Sequence, residues 1–185
     1  MQLQSTPLAG VQIIEPRCFE DLRGYFYESY SPRLLAALGC SAPFVQENVS
    51  GSRVGVLRGL HYQLEPQAQG KLVRVARGHI YDVVVDLRRG SASFGRWFGT
   101  ELSEASRRRL WVPVGFAHGF CALAENVEVV YSVTRPYSPE HERTIRWDDP
   151  QLAITWPAPP AGGFILSDKD RAGVTLRDAE LNFAL

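Results

Sequence analysis

The side chains with the widest chemical reach in this 185-residue chain are four histidines, and their settings differ. His61 lies in Leu57-Arg58-Gly59-Leu60-His61-Tyr62-Gln63, a strand-like run. A neutral imidazole is the group best suited to take and return a proton near pH 7. Strand alternation sets Gly59, His61 and Gln63 on one face and Arg58 and Tyr62 on the other. Gly59 is expected to leave room beside the ring for a ligand. His118 follows a turn in Pro113-Val-Gly115-Phe-Ala-His118 and is expected to aim inward. His79, behind a glycine, and His141, in Ser138-Pro139-Glu140-His141-Glu142, read as ordinary solvated histidines.

The positive charges are unevenly chosen: eighteen are Arg and only two, Lys71 and Lys169, are Lys. A compact ammonium can approach one developing oxyanion closely, and its pKa falls readily on burial. Lys71 opens an alternating strand, which would point it inward; a general coding preference for Arg explains the same two lysines without chemistry. Arg23-Gly24 and Arg58-Gly59 set a guanidinium beside a residue without a side chain, which permits close approach to a phosphate oxygen. Arg107-Arg108-Arg109 follows Ser103-Glu104-Ala105-Ser106 and reads as the solvated face of a turn.

These groups need a frame, and short alternating segments supply it. Val11–Ile14, Tyr25–Tyr30, Lys71–Arg77, His79–Asp86 and Val127–Thr134 are rich in β-branched or aromatic residues and are bounded by Gly, Pro or Ser, so strands are expected. Arg77-Gly78-His79 reads as a hairpin between two of them. One short helix is predicted, with Ser31 as N-cap, Pro32 at its first position, Leu34, Leu35 and Leu38 as its apolar face, and Gly39 as its stop. The tail from Pro150 to Leu185 is loop through Trp156-Pro-Ala-Pro-Pro-Ala-Gly-Gly, then weakly helical over Leu176–Leu181. Many short strands without a βαβ rhythm predict one mainly β domain over residues 1–185, an antiparallel sandwich or barrel with a few short helices, for which a cupin-like jelly roll is the leading candidate. The turn before His118 matches the second cupin half-motif. The first, with its H-x-H pair and later Glu, is missing around His61, so the pattern does not encode a complete metal site.

Composition narrows the partners. Hydrophobic residues at 45% and charged residues at 22% suit a chain that buries one core, and exclude disorder. Twenty basic and twenty acidic residues cancel, so nothing supplies the field that drives binding to nucleic acid or an acidic membrane. No apolar run approaches the roughly 18 residues of a membrane span, and the N-terminal residues lack a signal-peptide pattern, so a cytoplasmic location is expected. Cys18, Cys40 and Cys121 are widely separated and odd in number, which favours free thiols over a disulfide or zinc framework.

Six blocks taken together carry a resemblance. Asp21-Leu-Arg23-Gly24-Tyr-Phe26-Tyr-Glu28, Phe44-Val-Gln46-Glu-Asn48-Val-Ser50, Val56-Leu-Arg58-Gly-Leu-His61-Tyr-Gln63, Gly70-Lys71-Leu-Val-Arg74, Pro113-Val-Gly-Phe-Ala-His118-Gly-Phe120 and Leu166-Ser-Asp168-Lys169-Asp170 resemble, in order, the dTDP-4-dehydrorhamnose 3,5-epimerase family. The resemblance implies a cupin-type jelly roll, a homodimer that exchanges N-terminal strands, no metal or organic cofactor, and a 4-keto-6-deoxy hexose linked to dTDP as substrate. It implies His61 as catalytic base paired with Asp170, Tyr131 as acid, and Lys71 and His118 at the sugar. Arg23 and Arg58 would contact the diphosphate. Phe26, Glu28, Gln46, Asn48, Glu142 and Lys169 would surround the nucleotide and substrate. The chain departs from many relatives at Arg135-Pro136-Tyr137-Ser138-Pro139, where two aromatics usually precede Ser-Pro.

The implied chemistry is inversion of carbons next to a ketone. A proton leaves one face, an enolate forms at C4, and a proton returns to the other face. Three alternatives stay open on sequence: an epimerase acting at C3 only or C5 only, a metal-dependent cupin enzyme using His61 and His118, and a cupin that binds a nucleotide sugar without turning it over.

Overall fold

The computed structural model describes residues 1–40 and 42–184; the side chain of Leu35, assigned above to the helix's apolar face, lies outside the described residues. The described residues form thirteen strands: β1 Gln2–Ser5, β2 Gln12–Glu15, β3 Cys18–Asp21, β4 Gly24–Tyr27, β5 Gln46–Ser52, β6 Leu57–Gln63, β7 Lys71–Arg77, β8 His79–Asp86, β9 Trp97–Ser103, β10 Arg109–Val112, β11 Phe116–Ala122, β12 Val127–Val133 and β13 Glu142–Thr144. One sheet has the order β1-β2-β10-β7-β12-β5 and the other β13-β6-β11-β8-β9, while β3 and β4 form a separate ribbon. Every pairing between these strands is antiparallel. From β5 to β8 the chain changes sheet at each step, and it does so again from β9 to β12. That alternation wraps two sheets around one interior, the cupin-like jelly roll.

Three apolar clusters hold the layers. Between the sheets, Ile13, Val73, Val75, Ile80, Val84, Leu102, Leu110, Phe116, Phe120, Val127 and Val129 close one end of the barrel. The outer face of the five-stranded sheet is covered by the C-terminal segment: Leu60, Tyr62, Val83 and Val85 pack with Leu152, Leu176 and Phe183. This is why β8 reads as nearly continuous apolar sequence, since both of its faces are buried. The outer face of the six-stranded sheet is partly covered by α1 Pro32–Ala37, which sets Leu34 and Leu38 on Ile14, Leu72 and Trp111. Its start at Pro32 and the positive φ of Gly39 just beyond its end follow the local capping chemistry.

Several local expectations are corrected. Gly78 does not close a hairpin: β7 pairs with β10 and β12, and β8 with β11 and β9, so the glycine turns a corner between sheets. A turn residue reports a change of direction, not which strands pair. The run Tyr25–Tyr30 keeps strand geometry only to Tyr27, and the tail adopts a single 3-10 turn over Leu176–Asp178. A short helix α2, Asp168–Arg171, forms where none was expected, capped by the Ser167 hydroxyl, which accepts from the Asp170 amide. Arg107 and Arg108 do face outward, paired with Glu20 and Glu15. Arg109 does not: it begins β10 and is 1% exposed, because the strand's alternation turns it onto the covered face of the six-stranded sheet. The three cysteines are free thiols.

Candidate active site

Between the open ends of the two sheets lies a cavity of about 210 Å³ lined by His61, Lys71, His118, Tyr131, Arg58 and Asn48 among others. Its walls come from different sheets. On one, β6 and β11 bring His61 and His118 together as directly opposed residues. On the other, β7 and β12 lie side by side, Lys71 opposite Val133 and Tyr131 opposite Val73. His61 and Tyr131 therefore face the interior from opposite walls, with Lys71 on the strand next to that of Tyr131 and its ammonium 3.5 Å from the His61 carbonyl oxygen.

The expected division of β6 into faces is overturned at Gly59. The β6–β11 register shifts between His118 and Phe120, so Arg58 and His61 both line the cavity while Leu60 and Tyr62 pack outward against the C-terminal cluster. Gly59 leaves no room for a ligand either. With φ at +119°, a Cβ there would sit 2.6 Å from the Gly119 Cα and 2.8 Å from the His118 carbonyl oxygen. The glycine lets two backbones approach, and its own amide donates to Asp170 Oδ1 at 3.2 Å.

Asp170 is the most heavily bonded carboxylate of the site. It accepts from His61 Nε2 at 2.6 Å, from the Ser167 hydroxyl at 2.6 Å and from Gly59. These bonds outweigh its burial and hold its pKa down at about 2, so it stays ionised. With the Nε2 proton directed at Asp170, the free pair of the ring lies on Nδ1, which has no protein partner among the described residues. Burial is the largest influence on His61 and pulls its pKa below the ordinary 6.5; Asp170 opposes this, and Lys169 and Lys71 add to it. His61 is thus neutral and able to accept a proton at pH 7.

Burial pushes the Tyr131 phenol up to about 12, leaving it protonated and able to donate. Its hydroxyl lies 2.6 Å from Ser50 Oγ, and its ring meets His118 and Phe120 at centroid distances of 6.2 and 6.5 Å. Lys71 is enclosed, and burial lowers its pKa to about 8, against the raising influence of Glu142 and Asp82. His118 Nε2 donates to Asp82, 2.9 Å from the nearer oxygen. Sequence reasoning did not find Asp82, although its place as the polar residue on the inward face of β8, between Ile80 and Val84, was a usable signal.

At the mouth, Glu142 accepts from Lys169 Nζ at 2.6 Å and from the Tyr137 hydroxyl at 2.7 Å. Gln46 bridges the Asn48 side chain and the Tyr137 amide. Gln63 accepts from the Ser138 amide and donates to the Pro136 carbonyl, so Pro136 is tied back while Tyr137 lines the cavity. Arg58 is aimed by Ser52 Oγ and the Gly51 carbonyl. Three expected site residues are not brought together with these. Arg23 is paired with Asp21, Phe26 is 72% exposed on β4, and Glu28 accepts from Ser31, all outside the cavity of their own chain. His79 pairs with Glu101, and His141 bonds Ser138, as ordinary surface groups.

His61 and His118 each commit Nε2 to a carboxylate, and no set of three or more His, Cys, Asp or Glu side chains is placed to hold a metal ion among the described residues. No helix among the described residues is long and apolar enough to cross a membrane.

The family model described as dTDP-4-dehydrorhamnose 3,5-epimerase matches residues 5–178. A relative of that name from Pseudomonas aeruginosa is 51% identical over 181 residues, covering 96% of this chain and 98% of its own. Another of that name from Shigella flexneri is 48% identical over 181 residues, covering 97% and 98%. A crystal structure of the Legionella pneumophila 3,5-epimerase in complex with dTDP-4-keto-L-rhamnose superposes with a TM-score of 0.92 at 46% identity, covering 97% of this chain and 94% of that one. With the family model matched over residues 5–178, and the fold and nearly the whole length in common with these relatives, this chain belongs to the dTDP-4-dehydrorhamnose 3,5-epimerase family.

Proposed function

We propose that this protein epimerises C3 and C5 of dTDP-4-keto-6-deoxyglucose, giving dTDP-4-keto-L-rhamnose, without a metal or organic cofactor. The observation that carries the reading is the pair of opposed walls: a neutral imidazole oriented by a buried carboxylate on one sheet, and a protonated phenol on the other. His61 removes the proton next to the ketone through Nδ1, and Asp170 stabilises the imidazolium that results. The electron pair moves to the C4 oxygen. Lys71 holds that enolate, and His118, oriented by Asp82, presents Nδ1 as an acceptor to a sugar hydroxyl beside it. Tyr131 returns a proton from the opposite wall, so the carbon is inverted. Arg58 meets the diphosphate, and Gln46, Asn48, Tyr137, Glu142 and Lys169 surround the nucleotide end.

The remaining contacts call for a second copy. Phe19, Leu22, Tyr25 and Phe26 on the β3–β4 ribbon are all more than half exposed, an apolar patch that association would cover. In a homodimer that exchanges the N-terminal segment, each ribbon would bring Arg23, Phe26 and Glu28 to the neighbouring cavity. A nucleotide diphosphate substrate fits a cytoplasmic enzyme, since its charge keeps it inside the membrane.

The experiment is turnover of dTDP-4-keto-6-deoxyglucose in D2O, read by mass and NMR. Two deuteriums, at C3 and C5, with inversion at both carbons are expected. A single inverted and labelled carbon would make this a single epimerase, and no label would make it a binding protein.

A further inference from the structure

Ser50 belongs to a sequence block that marks the family resemblance, lines the cavity, and has no part in the chemistry described so far. Its side chain makes one contact that matters: Ser50 Oγ and Tyr131 Oη are 2.6 Å apart, and no other polar side chain bonds the phenol among the described residues. Ser50 is half-buried and lies on β5, the last strand of the six-stranded sheet, so one long edge of its strand has no neighbour among the described residues of its own chain. Arg58 is anchored to Ser52 and Gly51 of the same strand, and its charge favours the ionised form of Tyr131.

The inference rests on the double epimerisation proposed above. Inverting one carbon by base on one wall and acid on the other leaves His61 with one proton too many and Tyr131 with one too few. The first inversion starts with Tyr131 already protonated. The second, on the same bound sugar, cannot begin until Tyr131 has been recharged while the cavity is occupied. A bound sugar fills the cavity that the half-buried Tyr131 lines, which leaves Ser50 as the polar side chain in contact with the phenol.

We propose that Ser50 is a positioning residue that relays a solvent proton to Tyr131 between the two inversions. As the Ser50 O–H gives its proton to the Tyr131 phenolate, a water at the β5 edge gives one to Ser50 Oγ. One O–H bond forms at Tyr131, one breaks at the water, and Ser50 ends unchanged. The hydroxide left in solvent is neutralised by the proton that His61 releases. Arg58 supports the phenolate while it waits.

The test compares wild type, Ser50→Ala and Ser50→Thr in single-turnover quench experiments, with singly and doubly inverted sugars separated and counted by NMR. Ser50→Ala should carry out the first inversion within about tenfold of the wild-type rate and release singly inverted sugar, raising its ratio to doubly inverted product by about tenfold or more. Ser50→Thr, which keeps the hydroxyl, should restore the wild-type ratio. An unchanged product ratio in Ser50→Ala overturns the relay, whether its overall rate is normal or reduced, since a merely structural role would slow both inversions alike. Should wild type itself invert one carbon or none, the proposed function fails, and that is read before any variant is compared.

Discussion

Lys71 decides where the charge of the enolate is held. Its ammonium is enclosed between the sheets, and burial lowers its pKa from 10.5 to about 8. The other two groups of the mechanism do not titrate near that value: His61 is pulled below its ordinary 6.5, and Tyr131 is pushed up to about 12. The sign follows directly. Lys71 stabilises an oxyanion only when protonated, so kcat should hold between about pH 7 and 8 and then fall about tenfold per pH unit as the ammonium is lost. Lys71→Met removes the charge at every pH. Loss of one oxyanion donor costs about 3 to 4 kcal/mol, or about 10² to 10³ in kcat, and the alkaline limb should vanish with it. Lys71→Arg should also lack the limb, because a guanidinium stays charged, while its fork geometry lowers the plateau. Initial rates between pH 6 and 10 in constant ionic strength measure all three. A wild-type profile flat to pH 10, or an alkaline limb that survives in Lys71→Met, would refute the assignment of the oxyanion to Lys71.

Three further outcomes follow from named contacts. Asp170→Asn should retain more activity than His61→Ala, and because Asp170 raises the His61 pKa, its acid limb should move to lower pH; a limb that stays in place in kcat/KM profiles would contradict the pairing. Prolonged chelation should leave turnover unchanged, whereas a loss restored by zinc, iron or manganese would make the reaction metal-dependent. Gly59→Ala should lower stability by about 2 to 4 kcal/mol through its positive φ and the clash with Gly119, seen as a drop in Tm of about 5 to 15 °C; an unchanged Tm would mean that the strands can separate there.

What the sequence revealed divides by the range of the interactions. The helix after Ser31 was legible because its proline start, its apolar spacing and its glycine stop all act between Pro32 and Gly39, although the Ser31 hydroxyl bonds Glu28 and not the helix. Strands β2, β4, β6, β7, β8 and β12 were legible for the same reason, but their partners were not, and the remaining strands gave no comparable local signal. Gly78 turns the chain in either a hairpin or a corner, and only the packing of both faces of β8 selects the corner. Arg109 was misread because a charge run resembles solvated surface until β10 fixes which of its members points outward. His61 and Asp170 lie 109 positions apart, and no local pattern links them. Their pairing was reached through the family resemblance, as was Tyr131. Arg58 and His61 share a cavity only because the register shifts beside Gly59, an irregularity that strict alternation cannot express.

The central claim is that proton removal and proton return occur from opposite walls, and Tyr131→Phe in D2O tests it most directly. The variant keeps His61, Asp170 and Lys71 but lacks the donor, so the enolate should still form and recover a proton from the imidazolium side. Substrate recovered from D2O is predicted to carry deuterium with unchanged configuration, while epimerised product falls by about 10² to 10⁴. Epimerised product formed at the wild-type rate would contradict the account. So would loss of exchange together with epimerisation in a folded protein that still binds substrate, since Tyr131 would then belong to the base.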